Sequence, residues 1–113
     1  MRIFFTCLIP LLSTFTTAQA STYEGVVQLI NIREGDGLVW INIDGNRSSN
    51  IPECGKNHGY MVVKNEKGDT GKRQVAALML AQATGQKVKI DGTNTCTRWP
   101  DGEDIEIVQI QKQ

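Results

Sequence analysis

A single stretch of helical period in a chain otherwise patterned for strands constrains this sequence more than any other feature. Residues 72–84 set Val75, Ala76, Leu78, Met79, Leu80, Ala81 and Ala83 at helical spacing. Asp69 or Thr70 can cap the start, and Gly85 stands where a helix ends in the left-handed conformation. Every other apolar segment reads as strand. Residues 23–33 are apolar on both faces, with Val26, Ile30 and Ile32 on one, Val27 and Leu29 on the other, and Gly25 near the start. Such a segment suits a long curved strand that serves two sheets. Glu34-Gly35-Asp36-Gly37 signals a hairpin turn, and residues 38–44 follow with Val39, Ile41 and Ile43 at period two. A polar connection covers 45–57, a short third strand 58–64, and a loop with Gly68 65–70. Beyond the helix, 86–92 point Val88 and Ile90 inward, 93–104 form a loop, and 105–111 make the last strand. Ile105 and Ile107 share one face of that strand and Val108 and Ile110 the other, a pattern that allows a bulge.

The order is therefore β-β-β-α-β-β. It is the order of an OB-fold, an all-β, five-stranded Greek-key barrel with one helix between strands three and four. An α+β sandwich can share it. In the barrel, Val75, Leu78 and Met79 of the helix are expected to close one end over a core containing Val39, Ile41, Val88 and Ile90.

The first 20 residues stand apart. Met1-Arg2 is basic, residues 3–12 are apolar, and Ala18-Gln19-Ala20 is a small-x-small cleavage pattern. Together they read as a signal peptide, leaving residues 21–113 as the folded domain in the periplasm or outside the cell. The apolar run is shorter than the roughly 20 residues a membrane span needs. Cys7 lies too early in it to be a lipidation site. Cys54 and Cys96 remain, and a pair in an exported chain reads as a disulfide. Two free thiols or a metal pair are the alternatives, although a lone His58 leaves too few ligands for structural zinc.

Without residues 1–20, which hold Arg2, Phe4, Phe5 and Phe15, eleven basic side chains face twelve acidic ones, and the aromatics are Tyr23, Trp40, Tyr60 and Trp99 alone. That balance argues against a nucleic-acid binder, which needs a basic groove and several stacking rings. His58 has no partner acid in a recognisable motif, and no phosphate-cradling glycine loop, HExxH or GxSxG occurs. The sequence points away from an enzyme and names no cofactor. Asn46-Arg47-Ser48 has the N-glycosylation pattern, which carries no meaning if the leader is a bacterial export signal. Asp101, Glu103, Asp104 and Glu106 lack calcium-loop spacing and read as a solvated turn followed by the outer face of a strand. OB-folds bind oligonucleotides or oligosaccharides. A sugar site needs one or two ring faces with neutral polar groups, which makes Trp40, Tyr60, Trp99, Asn57 and Asn94 the candidate ligand-binding residues. Core or disulfide packing is the competing use of both tryptophans.

Gly25-Val26-Val27 in the first strand and Ala83-Thr84-Gly85-Gln86-Lys87-Val88-Lys89-Ile90 at the end of the helix resemble the small secreted bacterial OB-fold proteins similar to the subtilase cytotoxin B subunit. Cys54, Asn57, Gly92-Thr93, Cys96, Trp99, Asp101 and Glu103 match a smaller branch of such secreted proteins. The resemblance implies an OB barrel. For the toxin branch it implies a homopentamer that binds sialylated glycans and carries an A subunit. Two positions depart from that branch. Glu24 stands where a serine contributes to its glycan site, and Gly92 stands where an aromatic does. Glu24 would repel a sialic acid carboxylate, so toxin-like sialic acid binding is not expected; a neutral sugar on Trp40, Tyr60 or Trp99 is.

Overall fold

A computed structural model describes Thr6, Ile9, Pro10 and residues 20–112. Most of the expected signal peptide, Cys7 included, lies outside the described residues.

Period-two patterning delivers five strands: β1 (Thr22–Ile32), β2 (Val39–Arg47), β3 (Met61–Val63), β4 (Lys87–Gly92) and β5 (Glu103–Ile110). Helix α1 (Asp69–Thr84) lies between β3 and β4. The strands close into a barrel in the order β1-β2-β3-β5-β4. All pairings are antiparallel except β3 with β5. This is the expected OB-fold-like, all-β architecture in β-β-β-α-β-β order.

The long first strand closes the barrel. It pairs with β2 along most of its length and with β4 through Thr22–Val26. A register shift between Val27 and Leu29 reconciles its two apolar faces. Val27 and Ile30 turn to the core, while Leu29 and Ile32 face outward. β2 runs farther than its hydrophobic pattern, because Gly45, Asn46 and Arg47 pair with Gly25, Glu24 and Tyr23. The two glycines allow this: Gly25 holds φ +153°, and a Cβ on Gly45 would meet the Glu24 carbonyl at 1.8 Å. β3 is shorter than expected and keeps only Met61, Val62 and Val63, all fully buried.

Helix α1 begins at Asp69, with Gly68 rather than Asp69 or Thr70 as its N-cap. It ends as expected on Gly85, at φ +68°, whose N–H bonds back to Ala81 and Gln82. Leu78 and Ala81, three apart on one face, enter the barrel core with Val39, Ile41, Val88 and Ile90, and Val75 packs against them. Met79 does not; the next residue along a helix turns about 100° away, and Met79 is 53% exposed.

The acidic segment departs most from expectation. β5 starts at Glu103, and Glu103 and Asp104 have no exposed surface, while Asp101 and Glu106 are exposed. Each buried carboxylate survives because donors converge on it. Asp104 accepts from the Thr97 hydroxyl at 2.6 Å, the Thr97 N–H at 3.0 Å and the Arg98 N–H at 3.2 Å, so it shapes the β4–β5 loop. Glu103 accepts from the Ser21 hydroxyl, Arg47 Nη2 and the Asn94 N–H.

Candidate functional site

Three of the expected ligand residues meet in one place. Trp40 lies at the start of β2, Tyr60 just before β3 and Trp99 in the loop between β4 and β5. With Arg33 and Leu38 they line a cleft of about 170 Å³. All three rings are half-buried. The site occupies the barrel face that OB-folds use for ligands, the surface of strands two and three with the loops joining strands one to two and four to five.

Tyr60 is seated by backbone. A Cβ on Gly102 would lie 2.7 Å from the Tyr60 ring and 2.5 Å from Val62, so only glycine leaves room for the ring. His58 stacks on the other part of this surface, its ring 5.2 Å from Tyr60 and inclined by 21°. The lone histidine thus extends the aromatic surface.

Arg33 is the wall that sequence reading overlooked. Its guanidinium lies 4.7 Å from the centre of the Trp99 ring and 5.9 Å from that of Trp40. Nε and Nη2 form a forked pair with Asp36 at 2.9 and 2.6 Å. Nη1 takes no part in that pair. In the sequence Arg33 and Asp36 stand only as an Arg before a hairpin turn and an Asp within it, a pattern ordinarily solvated.

A second fork locks the surrounding loops. Arg98 donates to both Glu66 oxygens at 3.0 and 2.8 Å and to the Asp36 carbonyl at 3.1 Å. It therefore joins the β1–β2 turn, the β3–α1 loop and the β4–β5 loop that carries Trp99. The Cys54–Cys96 disulfide, with Cα atoms 6.2 Å apart, joins that last loop to the β2–β3 connection. A cleft braced on this many sides is pre-organised, so a ligand does not have to order it.

Asn57 and Asn94 do not join the cleft. Asn57 is exposed in the β2–β3 connection. Asn94 sits at φ 67°, a left-handed position that asparagine tolerates, and its N–H donates to Glu103. A larger depression of about 580 Å³ lies beside α1, walled by Lys64, Gln74, Arg98 and Glu106, but it offers no ring. Among the described residues no group of His, Cys, Asp and Glu is placed to hold a metal ion, and no helix is long and apolar enough to cross a membrane.

No family model, curated protein or solved structure matches this chain.

The ionic bracing has a pH signature. Hydrogen bonds from Arg98 hold the Glu66 carboxyl below its usual range against the opposing effect of burial. Hydrogen bonds from Arg33 do the same for Asp36. Carboxyls depressed in the folded state stabilise it above their unfolded values, near 4, and that contribution is lost as pH falls further. Fluorescence of the described tryptophans, Trp40 and Trp99, is expected to stay constant from pH 7 to about 5 and change below about 4. A transition centred above pH 5 would count against these pairs as the brace.

Proposed function

We propose that this protein is an exported, non-catalytic binding module that holds one neutral sugar ring in the Trp40–Tyr60–Trp99 cleft. What supports it is the convergence of three aromatic side chains from separate parts of the chain on the ligand face of an OB barrel. Ring faces stack on the apolar face of a sugar, and Arg33 Nη1 supplies a donor for a hydroxyl. The cleft is smaller than the roughly 300–1,000 Å³ of sites for drug-sized ligands, so it suits the terminal residue of an oligosaccharide. The disulfide fits an oxidising compartment, either the periplasm or the extracellular space.

Sialylated glycans are not expected to bind as they do in the toxin branch. Glu24 is exposed and lines a separate depression with Asp44. Like charges 4 Å apart cost about 4 kcal/mol near a protein surface, comparable to the whole of a millimolar affinity. Gly92 is buried, and a Cβ there would lie 2.2 Å from the Glu103 carboxyl, so that position has no room for an aromatic.

A second reading is favoured by exposed apolar side chains: Leu29 and Ile32 on β1, and Met79 and Leu80 on α1. They suit a protein contact. It could be with copies of this chain, as the homopentamer of the resemblance implies, or with an exported A-subunit-like partner. It could also belong to a monomeric envelope protein with a structural or interaction role and no glycan ligand. Light scattering of the purified protein distinguishes an oligomer from a monomer.

The sugar reading is tested on an array of neutral and sialylated glycans, followed by titration of the best ligand. Binding to a neutral glycan is expected, weakened at least tenfold (about 1.4 kcal/mol) in Trp99→Ala with little change in thermal midpoint. Retention by sialylated glycans alone, or full affinity in Trp99→Ala, would overturn it.

A further inference from the structure

Ser21 is the first fully buried residue of the barrel, and its surroundings form a polar seat. Its hydroxyl donates to Glu103 Oε1. Arg47 Nη2 donates to the same oxygen at 3.1 Å, and the Asn94 N–H donates to Oε2 at 2.9 Å. The backbone is pinned as well. The Gly92 N–H donates to the Ser21 carbonyl at 2.9 Å, whereas the bond from Asn50 Nδ2 to the Ala20 carbonyl at 3.1 Å leaves with the leader. A carboxylate offers about four acceptor sites, and among the described residues three donors reach Glu103.

We propose that cleavage between Ala20 and Ser21, a step that rests on the export reading above, supplies a fourth donor: the freed α-ammonium of Ser21 pairs with Glu103. In that hydrolysis, catalysed by a signal peptidase, the Ala20–Ser21 amide bond breaks. Water's oxygen goes to the Ala20 carbonyl carbon, leaving a carboxylate on the leader. The Ser21 nitrogen takes up protons and becomes an ammonium. Nitrogen and the hydroxyl-bearing Cβ branch from the same Cα, so the ammonium emerges beside a hydroxyl already bound to Glu103. Local charge favours it. β2 contributes Arg47, β5 Glu103, and β4 Asp91, the register partner of Thr22; farther along that ladder Glu24 opposes Lys89. The added ammonium joins Arg47 as a second cation on the buried Glu103 carboxylate. Removing the leader thus completes the charge cluster at the start of β1, and the finished terminus locks the barrel.

The full chain is exported and its new N-terminus read by intact mass. Three purified proteins are then compared: the chain beginning at Ser21, the same chain acetylated on that amine, and a chain beginning at Ala20, which moves the charge one residue outward. Below pH 7 the thermal midpoint is expected to fall by about 4–8 °C in the second and third. An ammonium favoured by the folded state has a raised folded pKa. Its contribution is fully present below the unfolded value, about 7.7–8.0, and is lost as pH rises through the folded one, so the midpoints converge in alkali. Acetylation should have no effect in Glu103→Gln; if that variant does not fold, the alkaline convergence carries the test. Cleavage elsewhere overturns both the export-site reading and this pairing. Cleavage at Ser21 with equal midpoints for the free and acetylated forms overturns the pairing alone.

Discussion

Replacing Cys54 and Cys96 with alanine is expected to destabilise the protein by about 4 kcal/mol, as the chain-entropy estimate gives for the 43-residue loop that the bond closes (sequence separation 42). Domains of this size have about 5–15 kcal/mol in total, so the loss is a large share. On the usual scale of about 4–8 °C per kcal/mol, the thermal midpoint should fall by roughly 15–30 °C. The location of the bond makes the consequence functional as well. Cys96 lies three residues before Trp99, and Cys54 precedes Tyr60 in the β2–β3 connection, so the bridge ties together two segments that supply rings to the cleft. Affinity for the proposed sugar ligand should therefore drop in the variant even at temperatures where the barrel remains folded. Differential scanning calorimetry with and without reductant checks the first part, and titration at 10 °C the second. An unchanged midpoint after full reduction would show that Arg98 and Asp104 hold the loop without the bridge.

The order of elements was legible in the sequence because hydrophobic period is a local property: Val39, Ile41 and Ile43 announce a strand wherever they stand, and Leu78 and Ala81 a helix face. The ends of β2 and β5 were not. Gly45-Asn46-Arg47 have no apolar alternation of their own and are strand because they pair with Gly25, Glu24 and Tyr23, while Glu103-Asp104 are buried among polar donors that hydrophobic period does not register. Arg47 pairs with Tyr23 in the ladder and with Glu103 by charge, and Asp104 collects donors from Thr95, Thr97 and Arg98. The candidate site divides the same way. Trp40, Tyr60 and Trp99 stood out because the domain has few rings, but their convergence follows from barrel closure. Asn57 and Asn94 have the side-chain chemistry of a sugar site but not the position. At Asn94 the fold uses the left-handed backbone and the N–H. Arg33 could be found only once the hairpin placed it against Trp99.

Glu103→Ala is expected to be as costly as loss of the disulfide, about 3–5 kcal/mol, because removing one partner of a buried ion pair leaves the other charge uncompensated. Arg47 has only 9% of its side chain exposed, and its Nε has no hydrogen-bond partner. Glu103 is thus its principal compensation, helped by the Tyr23 ring at 5.4 Å. Alanine would also leave the Ser21 hydroxyl and the Asn94 N–H without their acceptor, and would open space beside Gly92. The disturbance should reach the cleft by two short routes. Arg47 Nη1 donates to the Tyr60 carbonyl at 3.5 Å, and Asn94 begins the loop that carries Trp99. Combining Glu103→Ala with Arg47→Met should recover part of the loss, since removing both charges ends the desolvation penalty that removing one exposes. Urea unfolding of the parent, both single variants and the double variant measures the coupling. A Glu103→Ala protein within about 1 kcal/mol of its parent would mean that water reaches Arg47 and that the buried cluster does not hold the start of β1 to β5.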